Sequence, residues 1–153
     1  MKNLEKFLIE AKKETYANAK VEKVASNRLG SKDYEYKKDN MLYHDTYFGG
    51  VSFIGEEVVY VDNKPYWAMN YYGVTIDDNL EEEAMDAALR PALMRVGEDK
   101  NVIPVRGPSE YSNGEYKYIF TVDGTIDNFT GVETIYKNSK KIYELKCHGG
   151  KIK

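Results

Sequence analysis

One segment of this chain is written twice. Phe53, Gly55, Glu57, Tyr60, Lys64 and Gly73 recur as Phe129, Gly131, Glu133, Tyr136, Lys140 and Gly149, at a constant offset of 76 residues and without a gap. Conservative partners stand between them: Val59 with Ile135, Asp62 with Asn138, Trp67 with Tyr143, and Met69 with Leu145. A repeat of this length means two copies of one supersecondary unit, each burying its apolar face against the other. The chain has 153 residues, the size of one ordinary domain, and half of it would be marginal alone. The spacing therefore predicts a single domain over 1–153, with one repeat over about 3–73 and the other over about 79–149.

Local patterns supply the elements. Leu4, Phe7, Leu8 and Ala11 share one helical face, which predicts a helix from Asn3 to Asn18, capped by Asn3, with Lys12, Lys13 and Glu14 on the wet side. Alternation through Tyr34, Tyr36, Met41, Tyr43, Asp45 and Tyr47 predicts a hairpin across Lys38-Asp39-Asn40. A second hairpin turns at Asp62-Asn63-Lys64-Pro65. A second helix is expected from Leu80 to Val96, with Leu80, Ala84, Ala88, Ala92 and Leu93 inside and a break near Arg90 imposed by Pro91. Asn113-Gly114 and Asn138-Ser139-Lys140 mark two further hairpins. The class is α+β: tandem α-β-β-β-β units forming one curved antiparallel sheet, two helices packed on one face, and pseudo-two-fold symmetry.

Strand side chains alternate between faces. Trp67, Met69 and Tyr71, with Tyr143, Leu145 and Cys147 in the second copy, form the core face. Tyr66, Asn70 and Tyr72 lie on the opposite face as a candidate interaction surface. Glu57 shares a face with Val59, and Glu133 with Ile135, so a carboxylate points inward in both copies. A buried charge needs partners. Either each is closed by local hydrogen bonds, or the two meet across the axis and hold a proton or a cation between them. Gly55 and Gly131 are expected to open a bulge or turn at the strand entrance.

Other classes are excluded by what the chain lacks. Its net charge is −3 with both signs interspersed, so no basic surface for nucleic acid is expected. No apolar run is long enough to span a bilayer, and the N-terminus has no signal-peptide core, so a cytoplasmic location is expected and no membrane partner. Two histidines give no metal spacing, the glycines form no phosphate loop, and no serine sits in a nucleophile elbow. No cofactor and no catalytic residue is assigned. Cys147, the single cysteine, is read as an inert core thiol. Arg106, in a Pro/Gly loop, is either a clamp for an anionic group or an exposed or helix-capping side chain.

The strings YHDTYFGG, FIGEEVVY and PYWAMNYYG carry a resemblance. Through Tyr43, Asp45, Tyr47, Gly49, Phe53, Gly55, Glu57, Val58, Trp67, Met69, Tyr71 and Gly73, and again through Phe129, Gly131, Glu133, Tyr143 and Gly149, the chain resembles the bacterial domain-of-unknown-function family numbered 5680. The resemblance implies a sensing or regulatory module, since similar domains occur alone or behind helix-turn-helix regulators. It carries over no catalytic residue. The residues before Glu56 hold one helix and strands, so direct DNA reading is not expected.

Fourteen tyrosines, with their apolar rings and polar tips, suit the wall of a ligand site. The leading expectation is a non-catalytic small-molecule sensor or binding module. Its pocket would lie between helices and sheet near the axis, lined by Tyr47, Trp67, Met69, Tyr71 and Tyr143 and anchored by Glu57, Glu133 and Arg106. The alternatives are a protein-interaction module using Tyr66, Asn70 and Tyr72, and an enzyme using Glu57 and Glu133 as a carboxylate pair.

Overall fold

The amphipathic N-terminal stretch forms α1 (Lys2–Glu14) in the computed structural model, which describes all residues except 1, 16, 19, 78 and 80. Leu4, Phe7, Leu8 and Ala11 are buried on its inner face. Two expectations change. Asn3 lies inside the helix and does not cap it, and the helix stops at Glu14, where the Thr15 hydroxyl turns back to donate to the Ala11 carbonyl at 2.7 Å. Lys12, one turn beyond Leu8, belongs to the buried face and is 1% exposed.

Four strands follow: β1 (Lys32–Lys38), β2 (Met41–Gly49), β3 (Ser52–Val61) and β4 (Lys64–Thr75). The turn residues Asp62 and Asn63 have φ of 50° and 62°, the left-handed pair that a two-residue hairpin requires. Asn138 and Ser139 repeat it at 47° and 67°. The second half begins with three consecutive helical segments, α2 (Glu81–Ala84), a π-helical turn (Met85–Leu89) and α3 (Arg90–Leu93). Pro91 offers no N–H, so the ladder widens ahead of it. The Arg90 N–H reaches the Met85 carbonyl, and Asn113 Nδ2 donates to the Ala87 carbonyl at 2.9 Å. Ala84, Ala88, Ala92 and Leu93 are buried as expected, and the helical segment ends at Leu93 instead of Val96; Leu80 lies outside the described residues. The half closes with β5 (Glu110–Asn113), β6 (Tyr116–Thr125), β7 (Asn128–Lys137) and β8 (Lys140–Lys151).

All eight strands form one antiparallel sheet in the order β1-β2-β3-β4-β8-β7-β6-β5. The halves join through their last strands. In that central pair Tyr71 stands opposite Cys147, and these two are each other's counterparts in the repeat. The pseudo-two-fold axis passes between them. It relates two aromatic stacks: Trp67 on Phe129 at 6.1 Å, and Tyr143 on Phe53 at 6.4 Å. The Trp67 indole N–H also donates to the Ile126 carbonyl at 2.8 Å, fastening β4 to the other half.

Register irregularities fall at Val59/Tyr60 and Ile135/Tyr136, again at equivalent positions. Gly55 and Gly131, where a bulge was expected, continue the ladder regularly. At Gly55 the absent side chain has a different reason: a Cβ there would collide with the Tyr71 hydroxyl. The repeat slips by one residue in the outer strands. Tyr43 faces Val59, and it is Tyr118 that faces Ile135, because the second copy carries one extra residue between Gly124 and Asn128. The helices lie on the face that carries the buried row, α1 against β1 and β2 and the π-helical turn against β5 and β6. No helix among the described residues is long and apolar enough to cross a membrane.

Candidate functional site

Two inward carboxylates sit on the middle of the helix-covered face, and each has its own cation. Glu133 is fully closed. Arg106 Nε and Nη2 donate to its two oxygens at 2.9 and 2.7 Å, and the hydroxyls of Tyr118 and Tyr143 add bonds of 2.7 and 2.9 Å. The Gly107 N–H donates to the Tyr118 oxygen at 3.0 Å and fixes the loop that carries Arg106. Arg106 therefore clamps an internal acid, and the bidentate fork is the geometry that a guanidinium favours.

Glu57 is built differently. Lys12, from α1, pairs with its Oε2, and neither side chain exceeds 1% exposure. Its Oε1 is buried and accepts no hydrogen bond among the described residues. Directly opposite on β2 stands a third buried acid, Asp45, whose Oδ1 accepts from the Tyr71 hydroxyl at 2.7 Å. The interior cluster thus holds three carboxyls, Asp45, Glu57 and Glu133, and two cations, Lys12 and Arg106. Burial, and next the Glu57 charge, push the Asp45 carboxyl up to about 8, so it keeps its proton at neutral pH. Burial likewise lowers the Lys12 ammonium, against the pull of Glu57, and raises the Tyr71 phenol, with Asp45 adding to it.

The pseudo-symmetry supplies an internal control. In the second half the residue opposite Glu133 is Phe120, at the place that Asp45 takes opposite Glu57. Cys147 takes the place of Tyr71. The same backbone thus folds with a phenyl ring and a thiol where the first half keeps an acid and its phenol partner. Asp45 and Tyr71 are additions to the fold, not requirements of it.

A cavity of about 340 Å³ opens beside these additions, between the first half of the sheet and the second helical segment. Asp45, Glu57, Tyr71 and Arg106 line it together with Lys23, Lys32 and Arg90; Tyr47, Phe53, Leu89 and Leu93 are among its walls. Of the residues expected to line a pocket, Glu57, Tyr71, Tyr47 and Arg106 meet here. Trp67, Met69, Tyr143 and Glu133 are buried in the packed interior and do not line it. Asp45 and Lys12 are the site residues that sequence reasoning left out. Alternation with Tyr43 and Tyr47 already put Asp45 on the inner face, and the 4-7-8-11 series extends to position 12.

The opposite face of the sheet carries a groove of about 960 Å³ across the axis, lined by Phe48, Ile54, Asn70, Tyr72, Val132 and Lys146 among others. Phe48 on β2 and Thr121 on β6, with four strands between them, both line it, so the sheet bends toward this face. Asn70 and Tyr72, expected as a surface, lie in this groove; Tyr66 lies outside it, its ring under Lys151 Nζ at 5.0 Å.

His44 Nε2 lies 2.8 Å from Asp33 Oδ1, and burial pushes the Cys147 thiol up to about 12. Among the described residues no group of three or more His, Cys, Asp or Glu side chains is placed to hold a metal ion.

Fold and site together define an α+β domain of two α-β4 halves, with a polar cavity between the sheet of the first half and helical segments of the second. The family described as Domain of unknown function (DUF5680) matches residues 45–152, most of the chain, and the protein belongs to that family. No curated protein and no solved structure matches it.

Proposed function

We propose that this domain is a non-catalytic binding module that takes a small molecule into the cavity beside Asp45, Glu57 and Tyr71. One observation carries the reading: the first half holds buried polar groups where its twin holds Phe120 and Cys147. Buried polar groups that a fold does not need cost stability, and such costs concentrate at functional sites. The volume of about 340 Å³ falls in the range of ligand pockets, and its lining mixes aromatic and aliphatic side chains with charged ones. The test is a thermal-shift screen of metabolites on the wild type and on the double variant Asp45→Phe/Tyr71→Cys, which copies the second half into the first. A ligand present at 100 times its Kd adds about 2.7 kcal/mol. Hits that stabilise the wild type and not the double variant support the reading. A screen without hits, or hits shared equally by both proteins, overturns it.

A second reading uses the outer face as a protein-interaction surface. The groove gathers the exposed side chains Ile54 and Tyr72, at 56% and 50%. Arg28, Lys146 and His148 share it with Glu56 and Asp123, and this mixed lining fits a second copy of the same face. Sedimentation of the wild type against Tyr72→Lys tests it: a dimer lost in the variant supports it, and a wild type that stays monomeric overturns it.

A further inference from the structure

We infer that the ligand of the inner cavity is a small organic amine, whose N–H donors meet Glu57 Oε1 and the Asp45 carboxyl. This rests on the small-molecule reading above and names the chemistry of its occupant.

The inference starts from an imbalance of charge and of hydrogen bonds. Three buried carboxyls share two buried cations, and Arg106 gives its two-point fork to Glu133. Lys12 satisfies only one oxygen of Glu57. The other oxygen is a fully desolvated acceptor without a donor among the described residues, on a residue that lines the cavity. Such an atom costs about 1–3 kcal/mol until a donor reaches it. Beside it burial and the Glu57 charge raise the Asp45 carboxyl to about 8, so it carries a proton at neutral pH. An ammonium group supplies both deficits: it donates to Glu57 Oε1, and its charge permits Asp45 to ionise.

A metal ion fits the cavity less well. A hard divalent cation takes six to eight oxygen ligands, whereas this site offers two carboxyls and the Tyr71 phenol. Tyr34, Tyr47, Phe53 and Tyr71 are among its walls, and these rings suit an organic body. Lys23, Lys32 and Arg90 stand among the same lining. They select against a ligand with a second positive charge, so the far end of the amine is neutral or anionic.

Binding is coupled to a proton. Asp45 is faced by Glu57 from β3, Tyr71 from β4, Tyr34 across β1, Lys12 from α1 and Arg106 from the loop before β5. With its carboxyl titrating at about 8, ionisation on amine binding near neutral pH releases a proton.

The experiment uses three probes of one skeleton: phenethylamine, 2-phenylethanol and 3-phenylpropionate. Calorimetry at pH 7 in buffers of different ionisation heat measures affinity and proton release on the wild-type protein, and Asp45→Asn serves as the control. The expected result is that the amine binds best, that it releases about one proton per site, and that in Asp45→Asn this release vanishes and affinity falls by about tenfold or more. Equal or tighter binding of the alcohol or the carboxylate overturns the amine while leaving a small-molecule site. Amine binding without proton release from the wild type also overturns it, and that measurement needs no variant. If the metabolite screen finds hits and none carries an amine, this inference fails alone. If the screen finds none, both fail together.

Discussion

Lys12 and Glu57 form an ion pair that is closed to solvent, between a helix and a strand 45 residues apart in the chain. Removing one partner leaves the other charge buried and uncompensated, which typically costs about 3–5 kcal/mol. Lys12→Met should therefore be destabilised by that order, as read from urea midpoints. The double variant Lys12→Met/Glu57→Leu should recover most of the loss, because an apolar pair of similar volume leaves no charge behind. A double variant as unstable as the single one would show that Lys12 matters for packing alone.

Tyr118 and Tyr143 each close one oxygen of Glu133. Tyr118→Phe and Tyr143→Phe should each lower stability by about 1.5–3 kcal/mol, the range for hydrogen bonds to charged groups. Arg106→Lys should lose more than either, since an ammonium cannot reproduce the two-point fork. Chemical denaturation of the three variants ranks them directly.

Asp45 gives the pH dependence its sign. In the unfolded chain its carboxyl ionises near pH 4, and in the folded protein near 8. Between these values the folded state holds a proton that the unfolded state has lost, so this group makes stability fall as pH rises from about 4 to 8. Asp45→Asn should flatten that slope and be more stable than the wild type at pH 8, by on the order of 1–3 kcal/mol. Melting curves across that window decide it, and a variant less stable than the wild type at pH 8 would contradict the burial cost assigned to this acid.

Ser139 occupies the second position of the β7–β8 turn with φ of 67°, a conformation that costs an L-residue about 1–2 kcal/mol. Ser139→Gly converts the turn to Asn-Gly, the pair that this hairpin geometry favours. After the entropy cost of a glycine, about 0.5–1 kcal/mol, the variant should be more stable by several tenths of a kcal/mol to about 1. An unchanged or lower melting temperature would refute it.

Much of the architecture was readable because its signals are local. Alternation through Met41, Tyr43, Asp45 and Tyr47, the turn residues Asp62-Asn63 and Asn138-Ser139, and the 76-residue offset each lie within one hairpin or one pair of hairpins. The site was only half readable, because its contacts join distant elements. Tyr47, Glu57, Tyr71 and Arg106 announced themselves by face or by loop chemistry. Trp67 was expected in the pocket, but Phe129 from the other half stacks on it and fills the space. Lys12 reads as a solvent-facing lysine until the acid that draws it inward is known. Asp45 stands out only once Phe120 is seen in the equivalent place, and the one-residue slip of the repeat hides that correspondence in the sequence.

The duplication has a consequence for how such a domain can change. One copy serves as a template that keeps the shape, with its acid sealed by Arg106, Tyr118 and Tyr143. The other is released to acquire chemistry at little architectural risk, because the template shows that the scaffold tolerates other residues there. New preferences should accumulate at positions 45 and 71 while their C-terminal twins stay close to hydrocarbon.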